Sequence, residues 1–350
     1  MKMGLFFSMV VLTLVLILSG CAQKSPPSPA ATTPATAKPT ASQPVADVKV
    51  IRLKAVSFQP QNALSTKHFQ VYISAVNERA KGKMVIDYLG GTEIVTRADA
   101  PLSAAKGVID IVYTAFTFYG GIVPIGHAMQ ISQITAKEER ARGAWDYVRE
   151  IHAKSGLYWL GRGQASMNED TYWNSTKKIT GLKDLVGQRA GSGSVNSKPF
   201  VQAVGASYVQ VQIEDTYTAL ERSIIDSYVT PPSGQVSSNA YTICKNFIDQ
   251  PFYRGNISIF IGMNKWNELT PEMQGILTGV LIDDEDLVAK KWDEFHQQDR
   301  AKMIAAGDVP VKLSAEENSK FLELAYSSAR EDVIKTYPET GPKLMELLKK

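Results

Sequence analysis

The sequence predicts an α/β protein in two similar lobes, crossed by one long helix. Three observations predict it. Strand-length apolar runs alternate with helix-length amphipathic runs from residue 48 onward, the arrangement that covers a parallel sheet with helices. One short pattern occurs twice: residues 107–114 read Gly-Val-Ile-Asp-Ile-Val-Tyr-Thr and residues 223–230 read Ser-Ile-Ile-Asp-Ser-Tyr-Val-Thr, each after a helix bearing alanine and leucine. Thr270 and Pro271 are a cap and a first helical residue, and the helix they open meets no terminator before Gly307. At about 36 residues it would be about 54 Å long, more than the width of one small lobe.

The chain has 350 residues, 44% hydrophobic and 21% charged, so a packed core and two domains are expected and bulk disorder is not. A formal net charge of +3 gives no reason to expect a nucleic-acid partner. Lys2 followed by the apolar run 5–18 reads as an export signal, because the run is shorter than the roughly 20 residues a membrane-spanning helix needs. The sequence Leu18-Ser19-Gly20-Cys21 resembles the bacterial lipobox, which implies that Cys21 carries a diacylglycerol and becomes the mature N-terminus. Acyl chains hold a protein on a membrane surface without threading it through. Residues 22–46 are proline, serine, threonine and alanine with almost no large apolar side chain, and are expected to form an extended, disordered tether. Cys244 is then the one remaining cysteine, expected to be a small buried apolar group with no disulfide partner in the mature chain.

In the folded part, residues 48–56 alternate as a strand, and a helix with Leu64, Phe69, Tyr72, Ile73 and Val76 on one face runs from about Asn62 to Gly82. Strands follow at 84–89 and 108–114, with a helix at 102–106 between them. Residues 138–153 are amphipathic, 158–160 return as a strand, and 162–180 read as an irregular crossing into the second lobe. Residues 188–190 are a short extended piece, and Ser192 and Ser194 open a helix that stops at Gly205. Past Pro231 and Pro232 a polar segment leads to the nearly continuous apolar strand 257–263, expected to be buried on both faces. Gly275 and Gly279 have the spacing of a membrane helix pair, but Asp283, Asp284, Glu285 and Asp286 exclude a span. Ser314 and Glu317 form a capping box for a last long helix. The expected division is a signal peptide at 1–20, a tether at 21–47, lobe I from 48–163 with 257–283, and lobe II from 164–256 with 284–350.

In open parallel sheets ligands sit beyond the strand C-termini, which would set Thr114 and Thr230 facing each other across a cleft. Ser192 and Ser194 at a helix start, with Arg189 nearby, have the makings of a carboxylate cradle; an ordinary capped helix with a surface arginine has the same spacing. Phe58, Phe116, Phe118, Tyr119, Tyr228 and Tyr253 flank the expected strand ends, as lining for an aromatic acid or as core and rim packing. The histidines, His68, His127, His152 and His296, are scattered without the His-Glu-x-x-His pattern of a zinc enzyme, and no serine sits in a nucleophile elbow. The turn at 191–194 lacks a nucleotide-loop lysine. No catalytic residue, metal or cofactor is therefore expected.

Taken together, the Leu89-Gly-Gly turn, Gly107-Val-Ile-Asp, Asp184-Leu-Val-Gly with Arg189, Gly205-Ala-Ser, Tyr217-Thr-Ala-Leu, Ile225-Asp with Pro231, and Asn264 through Leu269-Thr-Pro resemble the DctP family. These are the extracytoplasmic solute-binding proteins of TRAP transporters. The resemblance covers residues 48 to about 329. It implies a periplasmic-binding-protein-like fold whose two lobes, joined by a hinge, close on a small organic acid and hand it to membrane permease subunits, at the periplasm or cell surface. It places Arg189 at or beside the arginine that pairs with the ligand carboxylate, Thr230 at a polar contact, Ile213 where an aromatic often packs, and Asn256 near a further polar contact. A register taken from Gly193 and Ser194 puts Ala190 at the arginine position instead. A second family arginine has no counterpart near 169–171, with Arg162 and Arg254 as the candidates to replace it. Attachment to an ABC transporter or sensor kinase is the runner-up, and a secreted enzyme ranks below both.

Overall fold

In the computed structural model, which describes residues 50–163, 170–255 and 257–350, the apolar runs become strands where helices cover them. In chain order these are β1 (Ile51–Ser57), β2 (Met84–Gly90), β3 (Ile111–Ala115), β4 (Leu157–Arg162), β5 (Tyr172–Ser175), β6 (Arg189–Ser192), β7 (Ser207–Gln210), β8 (Ser227–Thr230), β9 (Asn246–Ile248), β10 (Ile257–Gly262) and β11 (Val309–Val311). They form a five-stranded sheet ordered β2-β1-β3-β10-β4 and a six-stranded sheet ordered β11-β9-β5-β8-β6-β7. The residues expected to form the signal, the lipidation site at Cys21 and the tether, together with Asn256, lie outside the described residues.

Both sheets are mixed, which corrects the expected parallel arrangement. β1 runs parallel to β2 and β3, while β10 is antiparallel to β3 and β4. In the second sheet β6 runs parallel to β7 and β8, while β5 is antiparallel to β8 and β9. The reason is topological. β5 is the first strand after the chain leaves the first sheet at the end of β4, and β10 the first after it leaves the second at the end of β9. Each enters from the end where the parallel strands finish, so each runs backwards. The two crossings are tied together: the Asp170 N–H donates to the Tyr253 carbonyl at 2.9 Å, and Thr171 and Phe252 exchange bonds of 3.1 and 3.0 Å. β5 itself lies in the stretch read as irregular; fully buried Trp173 packs it into the core.

The continuous apolar run is β10, all six residues of which are buried. The single long helix is two, Pro271–Asp283 and Glu285–Ala305, parted at Asp284. The break falls within four consecutive carboxylates, of which Asp283 and Asp286 would stand one turn apart with like charges on one straight helix. Asp283 and Glu285 are drawn to different arginines, Arg79 at 2.6 Å and Arg140 at 2.6 and 3.1 Å. The first helix packs on the one at Leu64–Arg79 and the second on Pro232–Ser237, so the two pieces together still touch the surroundings of both sheets. The amphipathic run 138–153 likewise divides into Ala136–Ala141 and Ala144–Ala153 around Gly143, whose φ of 77° an ordinary side chain would oppose. The helix expected from Ser192 starts later, at Ser197, and carries no side-chain cap. Two local signals hold: the Thr270 hydroxyl caps the Met273 N–H, and Ser314 and Glu317 cap each other's backbone at the head of Ala315–Thr336. Cys244 is a buried free thiol. Among the described residues no helix is long and apolar enough to cross a membrane.

Candidate functional site

The strand ends of the two sheets meet. In the first sheet β3 carries Thr114, fully buried and opposite Ser258 of β10; in the second, β8 ends at Thr230, opposite Tyr172 of β5. Each threonine thus pairs with the strand arriving from the other sheet. Gly234 presses close to Thr230, where an added Cβ would come within 2.2 Å of the threonine hydroxyl. Ser57, at the end of β1, is bonded to Tyr88 (2.8 Å), Thr66 (3.2 Å) and the Gln59 carbonyl (2.8 Å).

Ser192 and Ser194 stand at the end of β6, but their hydroxyls serve the fold. Ser192 Oγ bonds the Val229 carbonyl (3.0 Å) and Ser197 Oγ (3.2 Å) and accepts the Ser194 N–H (3.1 Å). Ser194 Oγ donates to Gln130 Oε1 at 2.7 Å, which also receives Asn196 Nδ2 at 2.9 Å. Ile213, half-buried, opens the short turn Ile213–Asp215 that follows β7.

Arg189 stands apart from the two serines it was grouped with. It is the first residue of β6, not the last, so about 10 Å of strand separates it from Ser192 at the strand-end side. Its guanidinium grips Asp226 through two bonds (2.9 and 3.0 Å), and Asp226 also takes the Arg189 N–H (2.9 Å) and Lys177 Nζ (3.0 Å). The Arg189 hydrogen bond above all holds the Asp226 carboxyl well below the usual carboxylate range. Arg189 is a surface arginine in a structural ion pair, and Ala190, the alternative position, is fully buried in the core.

Arg162, at the end of β4, is also committed. It forms a fork onto Glu139 (2.6 and 2.9 Å) and reaches the Met129 carbonyl (2.7 Å), with side chains only 3% and 0% exposed. Burial pushes the Glu139 carboxyl up, but the Arg162 charge and bonds outweigh it and leave it lowered. Arg254 is buried too, with Nη1 on the Ile134 carbonyl.

Phe58, Phe116, Tyr119, Tyr228 and Tyr253 are buried, and Phe118 is half-buried. Phe116 lies against Tyr119 and His127, ring centres 5.3 and 5.0 Å away, behind β3. Tyr228 donates its hydroxyl to the Val211 carbonyl at 3.1 Å. Among the histidines, burial pushes His152 down to about 4 and lowers His127 and His68 as well. No group of three His, Cys, Asp or Glu side chains that could hold a metal occurs among the described residues.

One arginine that sequence reasoning did not single out, Arg97, joins the two sheets' strand ends. It lies in the connection after β2, where Nε donates to the Phe58 carbonyl (2.9 Å) and the guanidinium rests 5.4 Å from the Phe118 ring centre. Its Nη1 meets the Glu214 carboxylate, on the turn after β7 of the other sheet. The available signal was position: Arg97 is the first basic residue after the Leu89-Gly-Gly turn, beyond a strand C-terminus.

The fold has many solved relatives. One is a TRAP periplasmic solute-binding protein from Desulfovibrio salexigens with bound orotic acid: TM-score 0.73, 16% identity, covering 85% of this chain and 97% of that one. A second is an extracytoplasmic solute receptor from Bordetella pertussis binding pyroglutamic acid: TM-score 0.69, 17% identity, 86% and 100% covered. A third is a TRAP periplasmic solute-binding protein from Rhodoferax ferrireducens with bound malonate: TM-score 0.71, 17% identity, 85% and 96% covered. At these identities they show the two-lobed fold. The family resemblance read from the ordered motifs is borne out by a family model, bacterial extracellular solute-binding protein family 7 (DctP), that matches residues 56–335. With most of its length inside that match, the chain belongs to the DctP family of extracellular solute-binding proteins.

Proposed function

We propose that the chain is the receptor of a TRAP-type transporter, capturing a small carboxylated solute between its two lobes and delivering it to membrane permease subunits. The family match over residues 56–335 carries this reading. The crossings between the sheets at the strand ends support it, since paired crossings there are where a hinge would work. So do the orotate, pyroglutamate and malonate held by structural relatives. Lobe I is taken as 48–163 with 257–283 and lobe II as 164–256 with 284–350, and Thr114 and Thr230 as polar contacts at their facing ends. The signal at 1–20 and lipidation at Cys21 put the receptor outside the cytoplasmic membrane, held by acyl chains and spaced by the tether at 21–47. No catalytic step is assigned to it.

Isothermal titration of the folded protein with a library of small acids is the test. A saturable heat with at least one acid is expected; no heat from any of them refutes the reading. Genes for a small and a large TRAP membrane subunit beside this one are expected, and their replacement by ABC or sensor-kinase genes would reassign the partner. Metabolic labelling with a radioactive fatty acid should mark the wild type and not Cys21→Ala.

A further inference from the structure

Resting on the receptor reading, we propose that Arg97 is the guanidinium that takes the carboxylate of the solute. Glu214 holds that place when the solute is absent.

Three other arginines are already compensated. Arg162 is locked to Glu139 with both side chains out of water, and Arg189 is locked to Asp226 at the wrong end of its strand. Arg300, on the helix Glu285–Ala305, holds Asp249 at 2.8 Å. In each case arginine and carboxylate are fixed by elements that pack together, and no ligand could displace the acid without unpicking the fold.

Arg97 is different in three respects. Its carboxylate partner comes from across the strand ends, on a three-residue turn, and the Glu214 side chain is 51% exposed. An ion pair with one partner so exposed is weakly held, so Glu214 can turn out into water at little cost. The guanidinium, in contrast, is set in place: Nε is fixed on the Phe58 carbonyl, its central carbon stands over the Phe118 ring, and the side chain is only 28% exposed. A fork held this way presents its two outer nitrogens to a planar acid with little further ordering, the geometry in which arginine pairs best with carboxylate. Of the two outer nitrogens Nη1 is engaged by Glu214, and no bond to Nη2 is formed among the described residues.

The neighbours give the ligand class. Phe118 lies under the guanidinium and Ile213 precedes Glu214, so the acid should be a small monocarboxylate with one apolar or flat flank. A second carboxylate would be repelled by Asp215, the exposed acid next to Glu214.

Titration calorimetry of the full chain and three variants, using orotate, pyroglutamate and malonate as probes, decides it. Arg97→Ala should weaken the best-bound acid roughly 30- to 1,000-fold, the usual loss for truncating a partly buried charge partner. Arg97→Lys, which keeps the charge and loses the fork, should fall between, and near-ultraviolet circular dichroism will show that both variants fold. Glu214→Gln should bind the acid more tightly, because the competing carboxylate is gone. If Glu214→Gln weakens binding as Arg97→Ala does, the pair is a clasp that closes the lobes and the anchor assignment falls. It falls equally if wild type binds an acid and Arg97→Ala binds it as well. Silence from wild type with every acid overturns the receptor reading itself, a pattern distinct from either.

Discussion

Replacing Glu139 with glutamine should destabilise the protein more than any loss of a surface ion pair. In the native fold the Glu139 carboxylate takes two bonds from Arg162 (2.6 and 2.9 Å) and one from Trp145 Nε1 (3.0 Å), with no exposed surface on Glu139. Glutamine preserves shape and one acceptor, but leaves the Arg162 cation in a dry site with no charge of its own to pair with. The next carboxylate, Glu285, is already taken by Arg140. Breaking a buried pair from one side costs about 3–5 kcal/mol. For a chain of this size, at about 2.1 cal/mol/K of unfolding entropy per residue, that corresponds to a fall in Tm of roughly 4–8 °C, read by circular dichroism. Because Glu139 is held below its ordinary value of 4.5, the stability it provides is complete above that value. It is lost as pH falls through the lower folded value, so the gap between variant and wild type should narrow in acid. The double variant Glu139→Leu with Arg162→Met should regain much of the loss, since apolar replacement of a whole buried pair is commonly neutral or better. A Tm for Glu139→Gln within about 1 °C of wild type, or a double variant as unstable as the two single losses added, would refute the reasoning.

Two further perturbations test separate parts of the structure. Arg189→Ala should leave the Kd for an acid within about twofold of wild type, because the residue sits at the far end of β6, beyond the range where sites usually couple. Calorimetry giving a larger loss would return Arg189 to the site. Asp308 is buried with neither carboxylate oxygen bonded among the described residues, and burial pushes it up to about 7 from 3.8. The folded state therefore binds the proton more tightly than the unfolded chain, and stability falls as pH rises between those two values. Asp308→Asn should raise Tm more at pH 8 than at pH 5; an equal shift at both would show that Asp308 does not titrate in that window.

The parts of the fold legible in the sequence were those fixed by neighbours in the chain. Thr270 with Pro271, and Ser314 with Glu317, specify helix starts within one turn, and both form as read. The apolar run that becomes β10 needs no partner to be recognised as buried on both faces. The repeated Gly/Ser-x-x-Asp pattern located β3 and β8, because a helix end followed by a short buried strand imposes similar residue types each time. Strand direction was not legible, since it depends on the side from which the chain enters a sheet. That follows from the two crossings and not from any local pattern. The break at Asp284 left a fainter trace, the like charges of Asp283 and Asp286 that one unbroken helix would set a turn apart.

The arginines show why a binding site is harder to read than a fold. Arg189 and Arg97 are both single basic residues near a glycine turn, and only the distant partner tells them apart. Arg189 finds its carboxylate 37 residues away, and Arg97 finds its own 117 residues away in the other sheet. Neither separation leaves a periodic trace. The rule that ligands gather at strand C-termini could have separated them. Applied strictly, it sets Arg189, which opens β6, on the wrong side, and Arg97, which follows β2, on the right one. A resemblance measured as distance from a glycine in sequence carries no information about which end of a strand a residue occupies. A strand of four residues is long enough to carry a charge from one end of the sheet to the other, so a shift of two or three positions decides whether an arginine meets solute or solvent.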